Sequence, residues 1–134
     1  MSIFSKKNED NVDKKHEIII DKQYSHNPGP RYSNQGDYSG EDFYDNFLKE
    51  EFEKVKDSQD EKLEINLDGV AGYASSFLDE SFGRLVYDFG LDKVKEKVDI
   101  VSEEEPQWKD MIENKTYQQW AERKKKNQAP KITI

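Results

Sequence analysis

Hydrophobic positions change period several times along this chain. Ile18, Ile19 and Ile20 stand together in residues 17–21, a β-branched run of the kind that forms a short buried strand. Phe43, Tyr44, Phe47, Leu48, Phe52 and Val55 recur at helical spacing behind Ser39-Gly40-Glu41-Asp42. Ser39 is placed to cap that helix and Asp42 to occupy its third position, while the lysines and glutamates of 49–56 make the solvated face. Alternation returns at 62–67, where Leu63, Ile65 and Leu67 share one face and predict a strand. A second helix is expected over about 76–89, with Leu78, Phe82, Leu85, Val86 and Phe89 inward and Asp79, Glu80, Arg84 and Asp88 outward. Gly90 stands where a helix end favours a left-handed residue. Residues 91–97 read as a short connecting helix and 98–101 as a further strand. Pro106 opens a last helix with Trp108, Met111, Ile112 and Trp120, which ends in the basic run Arg123 to Lys126.

Strands and helices therefore alternate, which predicts an α/β sandwich with parallel strand pairs: a central mixed sheet of about four strands with three to four helices. Residues 1–15 are polar and aperiodic and are expected to form a flexible arm; 16–126 form a single domain and 127–134 a tail. Residues 22–39 are rich in turn formers. Pro28 and Pro30 fix φ on either side of Gly29, and a loose hairpin is expected around 34–37.

Composition narrows the function classes. The 134 residues carry 29 acidic and 21 basic side chains, a net charge of −8, which disfavours both duplex nucleic acid and an anionic membrane surface. The chain is 33% hydrophobic, so the seven Phe, seven Tyr and two Trp must supply much of the core. Without cysteine there is no disulfide, thiolate chemistry or Cys-based zinc site. No apolar leader or membrane-length run is visible, so a cytoplasmic protein with no membrane association is expected.

The candidate chemistry lies at the corner between the 62–67 strand and the following helix. Ser75 and Ser76 are expected where a helix N-terminus offers unpaired N–H groups and partial positive charge. Ser76 is placed either to cap the helix, with Asp79 completing a capping box, or to receive an anion such as phosphate, which Asp79 and Glu80 would repel. Arg31 is placed to form a salt bridge with one of the many carboxylates, Glu41 being the natural candidate, or to hold an anionic partner group. Asp68, just after the strand, is read as a loop cap. Tyr32, Tyr38 and Tyr73 crowd the loops around these positions and pack there or mark a binding surface. His16 and His26 are too few for a metal site, and no nucleophile–base pair or acid–base carboxylate pair stands out.

The run GYASSFLDESFGRLV, together with PGPRYSNQGDYSGEDF upstream, resembles the bacterial STAS-like domain family of unknown function, over about residues 17–112. The matching positions are Pro28, Gly29, Pro30, Arg31, Gly36, Ser39, Gly40 and Glu41, and then Gly72, Tyr73, Ser75, Ser76, Phe77, Leu78, Glu80, Phe82 and Gly83. That family is similar in outline to the STAS domains of anti-anti-sigma factors, in which a partner kinase of the histidine-kinase-like ATPase superfamily phosphorylates a serine after a strand. The resemblance places Ser75 and Ser76 at the two serine positions, Ser76 nearer the phosphoacceptor; Ala74 stands where that motif has Asp, and Phe77 replaces its Gly.

The resemblance implies a non-enzymatic regulatory domain without a cofactor that binds a histidine-kinase-like ATPase or another signalling protein. Pro28, Gly29, Pro30, Arg31, Tyr32, Gly40, Glu41 and Tyr73 are the expected partner-binding residues, and Ser76 and Ser75 the candidate phosphoacceptors. The alternative is a phage or mobile-element inhibitor of a host protein, of anti-defence or anti-restriction type, although interleaved basic residues argue against simple nucleic-acid mimicry.

Overall fold

The computed structural model describes residues 15–127. The arm and tail expected at the two ends, apart from Lys15 and Asn127, lie outside these residues. Strands β1 (Lys15–Ile19), β2 (Lys62–Asn66) and β3 (Val98–Val101) form one sheet in that order, both pairings parallel. Each parallel link needs a crossover. The first contains a single helical turn, α1 (Ile20–Gln23), and helix α2 over 40–55; the second contains α3 (Ser75–Phe89) and α4 (Leu91–Lys97). Helix α5, over 106–125, closes the described chain.

The expected parallel pairing is found, but the mixed sheet of about four strands is corrected to three strands, all parallel, and the three to four helices to five among the described residues. Residues 31–38 contribute no strand because Ser33–Gln35 closes into a 3-10 turn. The Gln35 side chain accepts the Tyr32 N–H at 3.0 Å, and the Gln35 N–H returns to the Tyr32 carbonyl at 2.9 Å. Ile20 and Asp21, expected to finish the first strand, turn into α1; Ile20 nevertheless reaches the core.

Register places Ile18 opposite Ile65 and Ile65 opposite Ile100, all buried, on the face that meets the helices. The other face carries Glu17, Glu64 and Asp99 in one row, none of them buried. The buried apolar side chains form a single cluster, so the architecture is two layers over one core. The stripe of α2 behaves as its spacing predicts: Phe43, Tyr44, Leu48, Phe52 and Val55 are fully buried. Ser39 caps it, its hydroxyl accepting the Asp42 N–H at 2.9 Å. Helices α2 and α5 each contain one wide π turn, Tyr44–Leu48 in α2 and Ile112–Thr116 in α5, a detail that hydrophobic period alone does not reveal. Gly90 has φ 96°, the left-handed conformation expected between α3 and α4. Lys97 is buried, and its ammonium donates to the carbonyls of Ser58 and Glu61, fastening the link before β2. No helix among the described residues is long and apolar enough to cross a membrane.

Helices α3 and α5 cross at Gly83, where an added Cβ would stand 2.2 Å from Trp120 Nε1. A glycine-to-alanine change inside a helix ordinarily gains up to about 1 kcal/mol. Here the sign reverses: Gly83→Ala should cost about 1–3 kcal/mol by overpacking, measured by urea unfolding. Tyr117 gives the opposite case, because its buried hydroxyl has no hydrogen-bond partner. Tyr117→Phe should leave the unfolding midpoint unchanged or raise it, by at most about 1 kcal/mol.

Candidate functional site

The loop leaving β2 is held from several sides. Tyr73 donates its hydroxyl to the Leu67 carbonyl at 2.7 Å and lays its ring against Phe77 and Trp108. Asp68, expected to cap or solvate its own loop, instead accepts the N–H groups of Glu103 at 3.1 Å and Glu104 at 3.0 Å and so caps the loop after β3. The chain stays extended through Ala74, at φ −83° and ψ 134°, and α3 begins at Ser75.

Ala74 is therefore the N-cap, and no side chain caps the first turn of α3. The expected Ser76–Asp79 capping box does not form, because the helix starts two residues earlier than a cap at Ser76 requires. Ser75 occupies the first helical position and is exposed; Ser76 is half-buried at the second. The Phe77 N–H is taken by the Ala74 carbonyl at 3.0 Å, and the N–H groups of Ser75 and Ser76, at the positive end of a 15-residue helix, have no side-chain acceptor among the described residues.

Loop 28–41 folds against the same corner. Gly29 N–H donates to Tyr38 O at 2.8 Å, Gly40 N–H to Pro30 O at 2.8 Å, and Glu41 N–H to Arg31 O at 3.0 Å, closing the loop as a hairpin without strands. Two close approaches require glycine here. A Cβ on Gly29 would lie 2.0 Å from Asp37 O, and one on Gly40 2.4 Å from Phe77 O. The second contact presses the start of α2 onto the first turn of α3.

Arg31 crosses from the loop to α3. Its Nη1 donates to Asp79 Oδ2 at 2.8 Å and to Glu80 Oε1 at 3.2 Å, while Trp120 Nε1 donates to Asp79 Oδ1 at 3.2 Å. The expected Arg31–Glu41 pair is thus replaced: Glu41 accepts the Ser33 N–H instead. Glu80, expected to face solvent, is fully buried; its second oxygen lies 3.6 Å from Arg84 Nη1 and makes no hydrogen bond. Burial pushes the Glu80 carboxyl above its ordinary range, although Arg31 and Arg84 pull it down. Burial works against the Arg31 charge, but Asp79 and Glu80 more than offset it and hold the guanidinium more firmly protonated.

Arg31, Ser75, Asp79 and Lys115 line one depression of about 200 Å³, which Met111, Thr116 and Gln119 of α5 complete. Of the residues singled out from sequence, Arg31 and Ser75 share this depression; Ser76 does not line it. Pro30, Gly29 and Gly40 shape the loop, Pro30 packing against Gly36, and Tyr73 anchors the opposite flank. Pro28 and Tyr32 belong to the same loop, with Arg31 6.0 Å from the Tyr32 ring centroid. Sequence reading missed Asp79 and Glu80 as the anchors of Arg31, and Lys115 as a wall. The available signal was an adjacent acid pair in an otherwise apolar helical turn. His16 lies 2.8 Å from Glu61 and His26 2.5 Å from Asp21; among the described residues no group of three His, Asp or Glu side chains is placed to hold a metal ion.

Residues 39–108, from the cap of α2 to the first turn of α5, match the family model described as a STAS-like domain of unknown function (DUF4325). No curated protein and no solved structure gives a significant match. The loop residues 28–38, Arg31 included, lie upstream of the matched span.

Removing Arg31 leaves Glu80 buried with only the longer Arg84 contact. Arg31→Gln should cost about 2–3 kcal/mol at pH 7, less than a fully buried pair because Arg31 is partly solvated. Glu80 has a folded-state pKa above its unfolded value, so between the two the native state binds more protons and this group favours folding less as pH rises. Without Arg31 its pKa rises further. The deficit of the variant relative to wild type should therefore shrink as pH falls from 7 towards 5, and Arg31→Gln/Glu80→Gln should recover much of it. Thermal unfolding across that range checks both; a deficit independent of pH would contradict the assignment.

Proposed function

The chain belongs to the family of STAS-like domains of unknown function, and on that premise we propose that it is a non-enzymatic regulatory module that docks a protein partner. The docking surface is the one shared by loop 28–41 and the first turn of α3. A single observation carries the reading: Arg31 reaches from the loop into α3 beside an exposed Ser75, so both conspicuous sequence segments open into one depression. Neither histidine lines that depression, which supports a binding role over hydrolysis. By family likeness the partner is a histidine-kinase-like ATPase or another signalling protein.

Ser75 is the modification point in this reading, in preference to Ser76. It is the more exposed hydroxyl, and a phosphate on it would meet uncapped N–H groups, the helix dipole, Arg31 and Lys115. The repulsion expected from Asp79 is blunted, because that carboxylate is already held by Arg31 and Trp120. The added charge of about −1.5 to −2 would compete for Arg31 and alter the docking surface.

Protein isolated from its native host should carry phosphate on Ser75, located by mass spectrometry, and Ser75→Glu should change the retention of co-purifying partners where Ser76→Ala does not. Ser75→Ala should shift stability by less than about 0.5 kcal/mol, since the side chain is not the cap. Phosphate on neither serine under any growth condition, with both Ser75 variants retaining the partner unchanged, would overturn the switch.

A further inference from the structure

Tyr38, at the outer end of loop 28–41, is the exposed large hydrophobic side chain among the described residues, with half of its surface accessible. Its backbone has φ 56°, a left-handed conformation that tyrosine adopts only against steric resistance. The ring is nevertheless held in place. It stands edge-on to Tyr24, centroids 5.5 Å apart at 88°, and Tyr24 packs on Phe43 while donating its hydroxyl to Asp42 at 2.5 Å. An immobilised, water-facing aromatic ring loses little entropy when something covers it.

Beside the ring lies a depression of about 360 Å³ lined by Ser33, Gly36, Asp37, Tyr38 and Asp42. Its walls combine an aromatic ring, two carboxylates and a hydroxyl, with no basic side chain. Asp42 is engaged by Tyr24 and by Asn46 at 2.6 Å, which leaves the exposed Asp37 as the forward-facing charge. A guanidinium or ammonium group is attracted to a tyrosine face and pairs with a carboxylate next to it. The net charge of −8 favours the approach of a basic partner surface to the molecule as a whole.

We infer that this depression receives an arginine or lysine side chain of the docked protein partner, with the Tyr38 ring as its wall and Asp37 as its counter-charge. The inference rests on the docking reading above and names the chemistry of the partner.

The test uses the full chain, labelled with nitrogen-15, and three capped tripeptides, Ac-Gly-Arg-Gly-NH2, Ac-Gly-Lys-Gly-NH2 and Ac-Gly-Glu-Gly-NH2. The arginine and lysine peptides should shift the amide signals of residues 33–42 saturably, and the glutamate peptide should not. Tyr38→Ala and Asp37→Asn should each weaken binding about two- to fivefold, while Tyr38→Phe keeps it. Tyr38→Gly separates binding from folding: glycine accepts the left-handed backbone, so peptide binding should fall with the melting temperature held or raised. Equal shifts from the glutamate peptide, wild-type binding by Tyr38→Gly, or saturable shifts confined to residues outside 33–42 would overturn the inference. None of these results depends on Ser75, so failure here would leave the Ser75 experiments to decide the docking reading separately.

Discussion

A buried carboxylate opposite a half-buried guanidinium fixes how this molecule is put together outside its core. Glu80 is fully buried within α3, and removing such a charge from water costs several kcal/mol. Arg31, 49 positions away in sequence, offsets that cost from one side and Arg84 from the other. Loop 28–41 gains its position from this contact more than from apolar burial, since residues 33–38 are all exposed. Three backbone hydrogen bonds close the loop on itself, and Arg31, the Gly40–Phe77 approach and the Tyr24–Tyr38 contact place it on the domain. A hydrophobic anchor in the same position would tolerate sliding. Two hydrogen bonds from Arg31 Nη1 to adjacent carboxylates set a direction as well as a distance.

Helix α3 is where the layers meet, and small residues set the spacing. Gly40 lets α2 approach the Phe77 backbone, and Gly83 lets α5 lay the Trp120 indole across the same helix. The strands are only four or five residues long, so the sheet contributes a narrow apolar strip and the helices supply most of the buried aromatic surface. Trp120 links packing to electrostatics: its ring fills the space above Gly83 while its N–H reaches Asp79, the carboxylate shared with Arg31. Loop, α3 and α5 are thus joined through one acidic pair.

The legible parts of this fold were those with a regular period. Leu63, Ile65 and Leu67 announce a half-buried strand, and Phe43 to Val55 announce a helix, because burial on one face imposes a spacing that survives in sequence. The end of β1 was less legible, since three consecutive isoleucines satisfy a strand or the turn that follows it. The cap of α3 was misplaced for a related reason. Serine is a favoured N-cap, but the extended path through Ala74 is set by Tyr73 and Leu67, a contact with no periodic signature. Glu80 misled in the opposite way: its charge signals solvent, and only the arrival of Arg31 from a distant loop makes its burial tolerable. Long-range ion pairs among fifty charged residues cannot be told apart by composition, which is why Glu41 looked as suitable a partner as Asp79 or Glu80.

One loop therefore presents two chemistries. Arg31 points inward to the acids of α3, while Tyr38 and Asp37 point outward to solvent. Backbone hydrogen bonds join Gly29 to Tyr38 and Arg31 to Glu41, so the inward and outward residues belong to one closed unit. Any new negative charge at Ser75 enters the depression that already holds Arg31 and Asp79 and alters the balance that fixes the guanidinium. Moving that side chain would withdraw the partner that makes the burial of Glu80 affordable, at a cost comparable to a large share of a small domain's stability. The α3 corner and the exposed aromatic are in this way carried by one hydrogen-bonded loop.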